Sequence, residues 1–199
     1  MSVVENIYQN GFHIIDNFLD EAHYQELRSL VQLLHDQGNF EPAKIGQQQN
    51  KVLNTTVRSD HIFWLDKEKT NPAIEAYFAG LKNISTALNE SLFLGLVDYE
   101  AHFAIYQPNN FYKKHVDQFA TAQERRISCV YYLNPSWQEA FGGQLQLYDH
   151  TDQPLTTILP QGNRFVCFNS DIPHEVRTAF KTRYSIAAWL KIRSMTHVI

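Results

Sequence analysis

Two stretches decide the fold: Asp98-Tyr99-Glu100-Ala101-His102-Phe103-Ala104-Ile105-Tyr106 and Ile127-Ser128-Cys129-Val130-Tyr131-Tyr132-Leu133. In the first, Tyr99, Ala101, Phe103 and Ile105 alternate with Glu100, His102 and Tyr106. In the second, Ile127, Cys129, Tyr131 and Leu133 alternate with Ser128, Val130 and Tyr132. A period of two sends successive side chains to opposite faces of a strand. Shorter runs follow at 144–148, 156–159, 164–168 and 184–190, separated by Asn134-Pro135, Gly142-Gly143, Gln161-Gly162 and Asp171 to Pro173. Many short strands punctuated in this way predict an antiparallel sandwich or barrel.

Upstream of Asp98 the pattern is mostly helical. Phe12 to Ile15 reads as a short strand ending at Asp16-Asn17. Leu27, Leu30, Val31 and Leu34 recur at helical spacing, with Asp20 as cap and Gly38 as stop. Asn71-Pro72 is a good start for a second helix, whose apolar stripe runs Ile74, Phe78, Leu81, Leu88. Residues 39–60 are polar, rich in Gln and Asn, and read as a loop or mobile hairpin. Helices first and strands after give an α+β chain, with helices buttressing one sheet.

The 199 residues suit one domain with a substantial core. Apolar residues make up 44% and charged residues 19%, the balance of a globular protein. A net charge of -4 without a long basic run argues against nucleic acid as partner. The N-terminal MSVVENIYQNGFHII does not read as a secretory signal, and no apolar run reaches membrane-spanning length. Cys129 and Cys167 each lie in an apolar strand-like run, so two buried thiols in a reducing compartment are expected, with a cytoplasmic location.

The chemistry is carried by His115-x-Asp117, His174 and Arg183. Residues i and i+2 of a strand share a face, so His115 and Asp117 could reach one metal, and the opposite wall of a barrel could return His174 to them. Two imidazoles and a carboxylate suit Fe(II) and leave coordination positions open. Arg183 offers a planar fork for a carboxylate. It starts a strand whose same-face neighbours are Ser185, Ala187 and Trp189. A buried cation beside an apolar floor is costly unless an anion joins it.

The pattern resembles the Fe(II)- and 2-oxoglutarate-dependent dioxygenases, most of all the oxygen-sensing (hypoxia-inducible-factor) prolyl hydroxylases and their bacterial relatives. The resemblance runs from about Gly11 to Lys191. It includes Gly11-Phe12-x-Ile14-Ile15-Asp16-x-Phe18-Leu19, Arg58-x-Asp60-x-Ile62-x-Trp64, Tyr106-x-Pro108, Tyr112-x-x-His115-Val116-Asp117, Cys129-Val130-Tyr131-Tyr132-Leu133-Asn134, Gly142-Gly143, Pro173-His174-Glu175-Val176 and Arg183-Tyr184-x-Ile186-x-x-Trp189.

The resemblance implies a double-stranded β-helix, or jelly roll, with supporting N-terminal helices. One oxygenase domain would span 1–193, with helical support and a finger loop in 1–97, the β core in 98–193 and a tail at 194–199. His115, Asp117 and His174 would hold Fe(II). Arg183, helped by the Tyr132 hydroxyl, would bind the distal carboxylate of 2-oxoglutarate, and Trp189 would form part of that pocket's wall. Tyr106, Arg58, Asp60 and Arg126 would serve the substrate, the Arg58–Asp60 contact holding the finger. Tyr112 and Tyr131 read as packing. The reaction would consume O₂, with ascorbate as a stimulant, and hydroxylate a prolyl residue of a protein, with succinate and CO₂ as co-products. A translation elongation factor would be the partner by analogy with bacterial members. Asp117 argues against halogenation, which needs a halide in the carboxylate's place. Animal members carry threonine where this chain has Ala187. Competing readings are the same chemistry on another side chain or a small molecule, and a non-catalytic cupin-like metal-binding protein.

Overall fold

The computed structural model describes residues 1–45, 52–66, 71–118 and 123–193. In chain order the elements are α1 (Val3–Asn10), β1 (Phe12–Asp16), α2 (Glu21–Asp36), β2 (Glu41–Pro42), β3 (His61–Trp64), α3 (Pro72–Leu92), β4 (Asp98–Tyr106), β5 (Tyr112–His115), β6 (Arg125–Tyr132), β7 (Leu145–Tyr148), β8 (Pro154–Ile158), β9 (Arg164–Asn169), β10 (His174–Val176) and β11 (Arg183–Lys191). A 3-10 turn lies at Glu139–Phe141.

The strands form two antiparallel sheets. Seven run β1-β9-β6-β11-β4-β3-β2 and four run β5-β10-β7-β8. The alternation in β4 and β6 assigns the faces. Ala101, Phe103, Cys129 and Tyr131 belong to one core with Tyr77, Leu81 and Leu88 of α3 and Leu27 and Val31 of α2. Tyr132 of the opposite face joins Leu145, Leu147, Val166 and Phe168 between the two sheets. One face of the large sheet is thus sealed by helices, and the other is left to build a site.

The helix starts follow their caps. The Asp20 side chain accepts from the His23 amide, and Asn71 accepts from the amides of Ala73 and Ile74 ahead of Pro72. Helix α1 was not anticipated, although Ser2 and Glu5 form a reciprocal capping box. Gly80 sits in mid-helix at a cost of about 1 kcal/mol. A Cβ there would fall 2.5 Å from the Phe18 ring, which stacks on Phe165 at 4.3 Å. The missing side chain therefore lets α3 press an aromatic pair into the core.

The described parts of the 39–60 segment, residues 39–45 and 52–60, carry more backbone pairing than a polar loop. Glu41–Pro42 pairs with β3, Ile45 bridges Val52, and Arg58 bridges Tyr112. The tip at 46–51 and the expected tail at 194–199 lie outside the described residues. Among the described residues no helix is long and apolar enough to cross a membrane.

Candidate active site

A cavity of about 880 Å³ lies between the sheets. Its walls follow from strand parity. Glu100, His102, Ala104 and Tyr106 of β4 line it, as do Arg183, Ser185, Ala187, Trp189 and Lys191 of β11.

His115, Asp117 and His174 meet in this cavity, their ligand atoms all within 4.8 Å of one another. The route differs from the one expected. β5 and β10 are neighbours in one sheet, and His174 stands directly opposite His115 in register. The second histidine comes from the adjacent strand, not from the opposite wall. Asp117 is not on the strand at all, since β5 ends at His115. Its position is set by its amide, which donates to the Ser170 carbonyl at 3.1 Å.

Both imidazoles are oriented for a metal. His115 Nδ1 lies 2.7 Å from the Lys113 carbonyl and His174 Nδ1 lies 2.9 Å from the Ile172 carbonyl. A carbonyl only accepts, so each Nδ1 carries the proton and each Nε2 keeps its lone pair. The Nε2 atoms lie 3.6 and 3.4 Å from Asp117 Oδ1 and Oδ2. Burial would raise the Asp117 pKa, but the two histidines outweigh it and hold the carboxyl well below its usual range. Burial likewise works against a charged His174, yet the Asp117 charge raises its pKa; His115 is lowered, by burial and by His174.

Arg183 forms the floor. It is 1% exposed and directly opposite Tyr106 across β4. Its guanidinium lies 4.8 Å from the Tyr106 ring and 5.0 Å from the Tyr132 ring. One nitrogen donates to Ser185 Oγ at 3.1 Å. Arg183 Nε and the Tyr132 hydroxyl are buried and have no hydrogen-bond partner among the described residues. Two orphaned donors beside a buried cation fit a carboxylate that the chain itself does not supply. Gly143 makes room for this arginine: at φ +68, a Cβ there would lie 2.9 Å from Arg183 Cδ.

The rim is built differently. Arg58 donates twice to Asp60, at 2.8 and 2.6 Å. Burial alone would lower the Arg58 pKa; the Asp60 hydrogen bond and charge raise it above its ordinary value. This pair sits at the base of the 39–60 segment, where Ser59 and Lys113 amides tie it to the strand bearing His115. The Arg58 guanidinium lies 4.3 Å over the Tyr112 ring, which in turn stacks on His115 at 3.5 Å and 13°. Tyr112, read from the sequence as packing, therefore touches a metal-ligand candidate.

Trp189 lines the cavity, but six residues along β11 from Arg183, about 20 Å on an extended strand. It stands opposite Ser128 under Arg125, whose guanidinium is 3.7 Å from its ring. Arg125 pairs with Glu100 at 2.6 Å. Arg126, the residue expected at the substrate, does not line the cavity. Its parity matches Ser128, Val130 and Tyr132, but the β6–β11 register shifts between Leu190 and Lys191 and pairs Lys191 with Arg125. The bulge turns Arg125 inward instead.

With this geometry in view, the comparisons with known proteins are decisive. The model of the 2OG-Fe(II) oxygenase superfamily matches residues 101–191. A prolyl-4-hydroxylase from Pseudomonas putida is 32% identical, with a TM-score of 0.86 over 96% of this chain and 97% of that one. The chain belongs to the 2OG-Fe(II) oxygenase superfamily. A Trichoplax adhaerens prolyl hydroxylase, solved with a hypoxia-inducible-factor degradation-domain peptide, is 30% identical, with a TM-score of 0.85 over 95% of this chain and 87% of that one. The hypoxia-inducible factor prolyl hydroxylase of Caenorhabditis elegans is 31% identical over 96% of this oxygenase, which spans only 28% of the worm protein's length. Membership implies Fe(II), 2-oxoglutarate and O₂, and the donor set and the orphaned floor fit the first two.

Proposed function

We propose that this oxygenase hydroxylates a prolyl residue of a protein, consuming 2-oxoglutarate and O₂ and releasing succinate and CO₂. The observation that carries the reading is one cavity holding three things: a metal-ready His115–Asp117–His174 set, a floor at Arg183 whose Nε is unsatisfied and behind which Tyr132 lies buried, and space beyond both up to a rim bearing the Arg58–Asp60 pair. Its similarity to bacterial and animal prolyl hydroxylases supports the prolyl target.

Bound iron with its co-substrates would supply oxidative decarboxylation and transfer of one oxygen atom to a C–H bond. The chain's residues do the rest. His115, Asp117 and His174 would hold Fe(II) through two Nε2 atoms and a carboxylate oxygen. Arg183 would take the distal carboxylate of 2-oxoglutarate bidentately, and the Tyr132 hydroxyl would donate to it. That contact would orient the co-substrate. Tyr106 is kept protonated, raised by burial and by Asp60, so it stays a neutral wall. Arg58 and Asp60 would anchor the finger segment over a bound peptide and exclude water.

We read the two sheets as a double-stranded β-helix and residues 1–193 as one domain, because α1–α3 and the large sheet share a core. A cytoplasmic setting is part of the proposal, supported by Cys129 and Cys167, which face each other across β6 and β9 as buried free thiols. A translation elongation factor is the partner to test first. The experiment is succinate release from 2-oxoglutarate with Fe(II), followed by mass spectrometry of candidate proteins for a proline that gains one oxygen atom. Absence of both overturns the proposal. Turnover on a free amino acid instead would transfer the chemistry to a small-molecule substrate.

A further inference from the structure

Of the three metal-ligand candidates, Asp117 alone has no strand to fix it. Two serines from elsewhere hold it in place. Its amide and that of Gln118 both donate to the Ser170 carbonyl, at 3.1 and 3.0 Å. Its Oδ2 accepts from the Ser128 hydroxyl at 2.7 Å. The two serine hydroxyls are 2.9 Å apart, and each serine is only 1% exposed. Ser128 has one proton and spends it on the carboxylate, so Ser170 must donate to Ser128. The result is a line of hydroxyls, buried and directional, ending on one oxygen of the ligand.

The direction has a consequence for the metal. Three single-atom ligands leave three positions of an octahedral ion open. A 2-oxo acid chelate takes two of these and O₂ needs the third. A carboxylate that swings to bind through both oxygens would take one of those positions away. We propose that Ser128, oriented by Ser170, is a positioning residue that keeps Asp117 a one-oxygen ligand. A hydrogen bond to Oδ2, which also lies 3.4 Å from His174 Nε2, holds the carboxylate plane and draws on one lone pair of that oxygen, which makes Oδ1, 3.6 Å from His115 Nε2, the better donor. This goes beyond the proposed reaction and rests only on the metal site of that reading.

The test is titration of the metal-free protein with Co(II), followed by its visible absorption, and then titration of the Co(II) form with 2-oxoglutarate. Ser128→Ala should weaken Co(II) binding about tenfold, the lower end for loss of a group that orients a ligand. It should also alter the absorption band and weaken 2-oxoglutarate binding. Ser128→Thr should restore all three, since the hydroxyl is kept and the added methyl can enter the cavity that Ser128 lines. Ser170→Ala should shift them in the same direction by a smaller factor. That variant keeps the backbone contacts to Asp117, and so carries the test if Ser128→Ala fails to fold. The proposal is overturned if Ser128→Ala, or Ser170→Ala in its place, binds Co(II) and 2-oxoglutarate as the wild type does, or if Ser128→Thr is as impaired as Ser128→Ala. A wild type that binds no Co(II) would instead overturn the metal-site reading itself.

Discussion

The floor and the rim of the cavity use the same residue type in opposite ways. At the floor, Arg183 is buried with one hydroxyl contact and an orphaned Nε. At the rim, Arg58 and Arg125 each sit on a carboxylate of the chain, Asp60 and Glu100. A buried cation without a counter-ion is a cost that the fold bears in advance. The floor is therefore committed to an anion from outside. The rim's two arginines are already neutralised within the chain, and beside them it presents apolar surface, with Trp64 and Val116 40% and 44% exposed at the cavity wall.

The largest expected effect breaks the floor. Arg183→Met should weaken 2-oxoglutarate binding by at least about 100-fold, the loss of a bidentate charged contact. Unfolding in urea should show unchanged or slightly higher stability, because an unpaired buried charge has been removed. Calorimetric titration and a urea curve measure the two quantities. A stability loss of several kcal/mol would mean that the cation supports the fold rather than the ligand.

The matching change at the rim should behave in reverse. Asp60→Asn keeps the shape but leaves the Arg58 guanidinium, whose side chain is only 13% exposed, unneutralised. We expect a loss of about 3 kcal/mol in stability, with 2-oxoglutarate affinity nearly unchanged. If affinity falls with stability, floor and rim are coupled, and the Arg58–Tyr112–His115 stack is the route to examine.

Between the two regions, His102 lines the wall, flanked by Trp64 and Trp189. Burial, and then the Arg58 charge, push its pKa down to about 4 from the usual 6.5. The folded state thus binds this proton less readily than the unfolded chain. The contribution to stability is complete above pH 6.5 and is lost as pH falls from 6.5 towards 4. It amounts to about 3 kcal/mol at full extent. His102→Leu should flatten the stability curve in that window and leave it unchanged above neutral pH. An equal slope in both proteins would assign the acid sensitivity to other groups.

What the sequence revealed follows the same division. The floor was legible because period-two alternation places Arg183, Ser185 and Trp189 on one face, and β11 obeys it from end to end. The helix starts at Asp20 and Asn71 were legible because a cap is a local signal. At the rim the Arg58–Asp60 contact was expected through the resemblance and is present; the choice of Arg125 over Arg126 was not legible, because it depends on a register shift. Alternation alone points Arg126 inward, and the β6–β11 bulge that selects Arg125 leaves no local mark. The adjacency of β5 and β10 was hidden for a related reason: strand order is a long-range property, and both strands are short. Ser128 did leave a signal. It is a polar residue on the inner face of a strand otherwise filled by Val130 and Tyr132, and a buried hydroxyl there needs a partner. Tyr112 left none, since stacking on His115 requires knowing that 57–59 clamps the same strand.

The smallest expected effect sharpens the comparison by strengthening the floor. Ala187 stands on the cavity face of β11, opposite His102 on one side and Val130 on the other. Its methyl group offers the co-substrate no hydrogen bond. Ala187→Thr adds one hydroxyl there, in a residue whose branched side chain suits a strand. A neutral hydrogen bond contributes about 1 kcal/mol, so 2-oxoglutarate should bind about fivefold tighter. Because Ala187 shares neither a hydrogen bond nor an ion pair with Asp60, the change should add independently to the effect of Asp60→Asn at the rim. The double variant measures this: a binding constant equal to that of Ala187→Thr alone would keep floor and rim as separate devices, and any shortfall would give the size of the coupling between them.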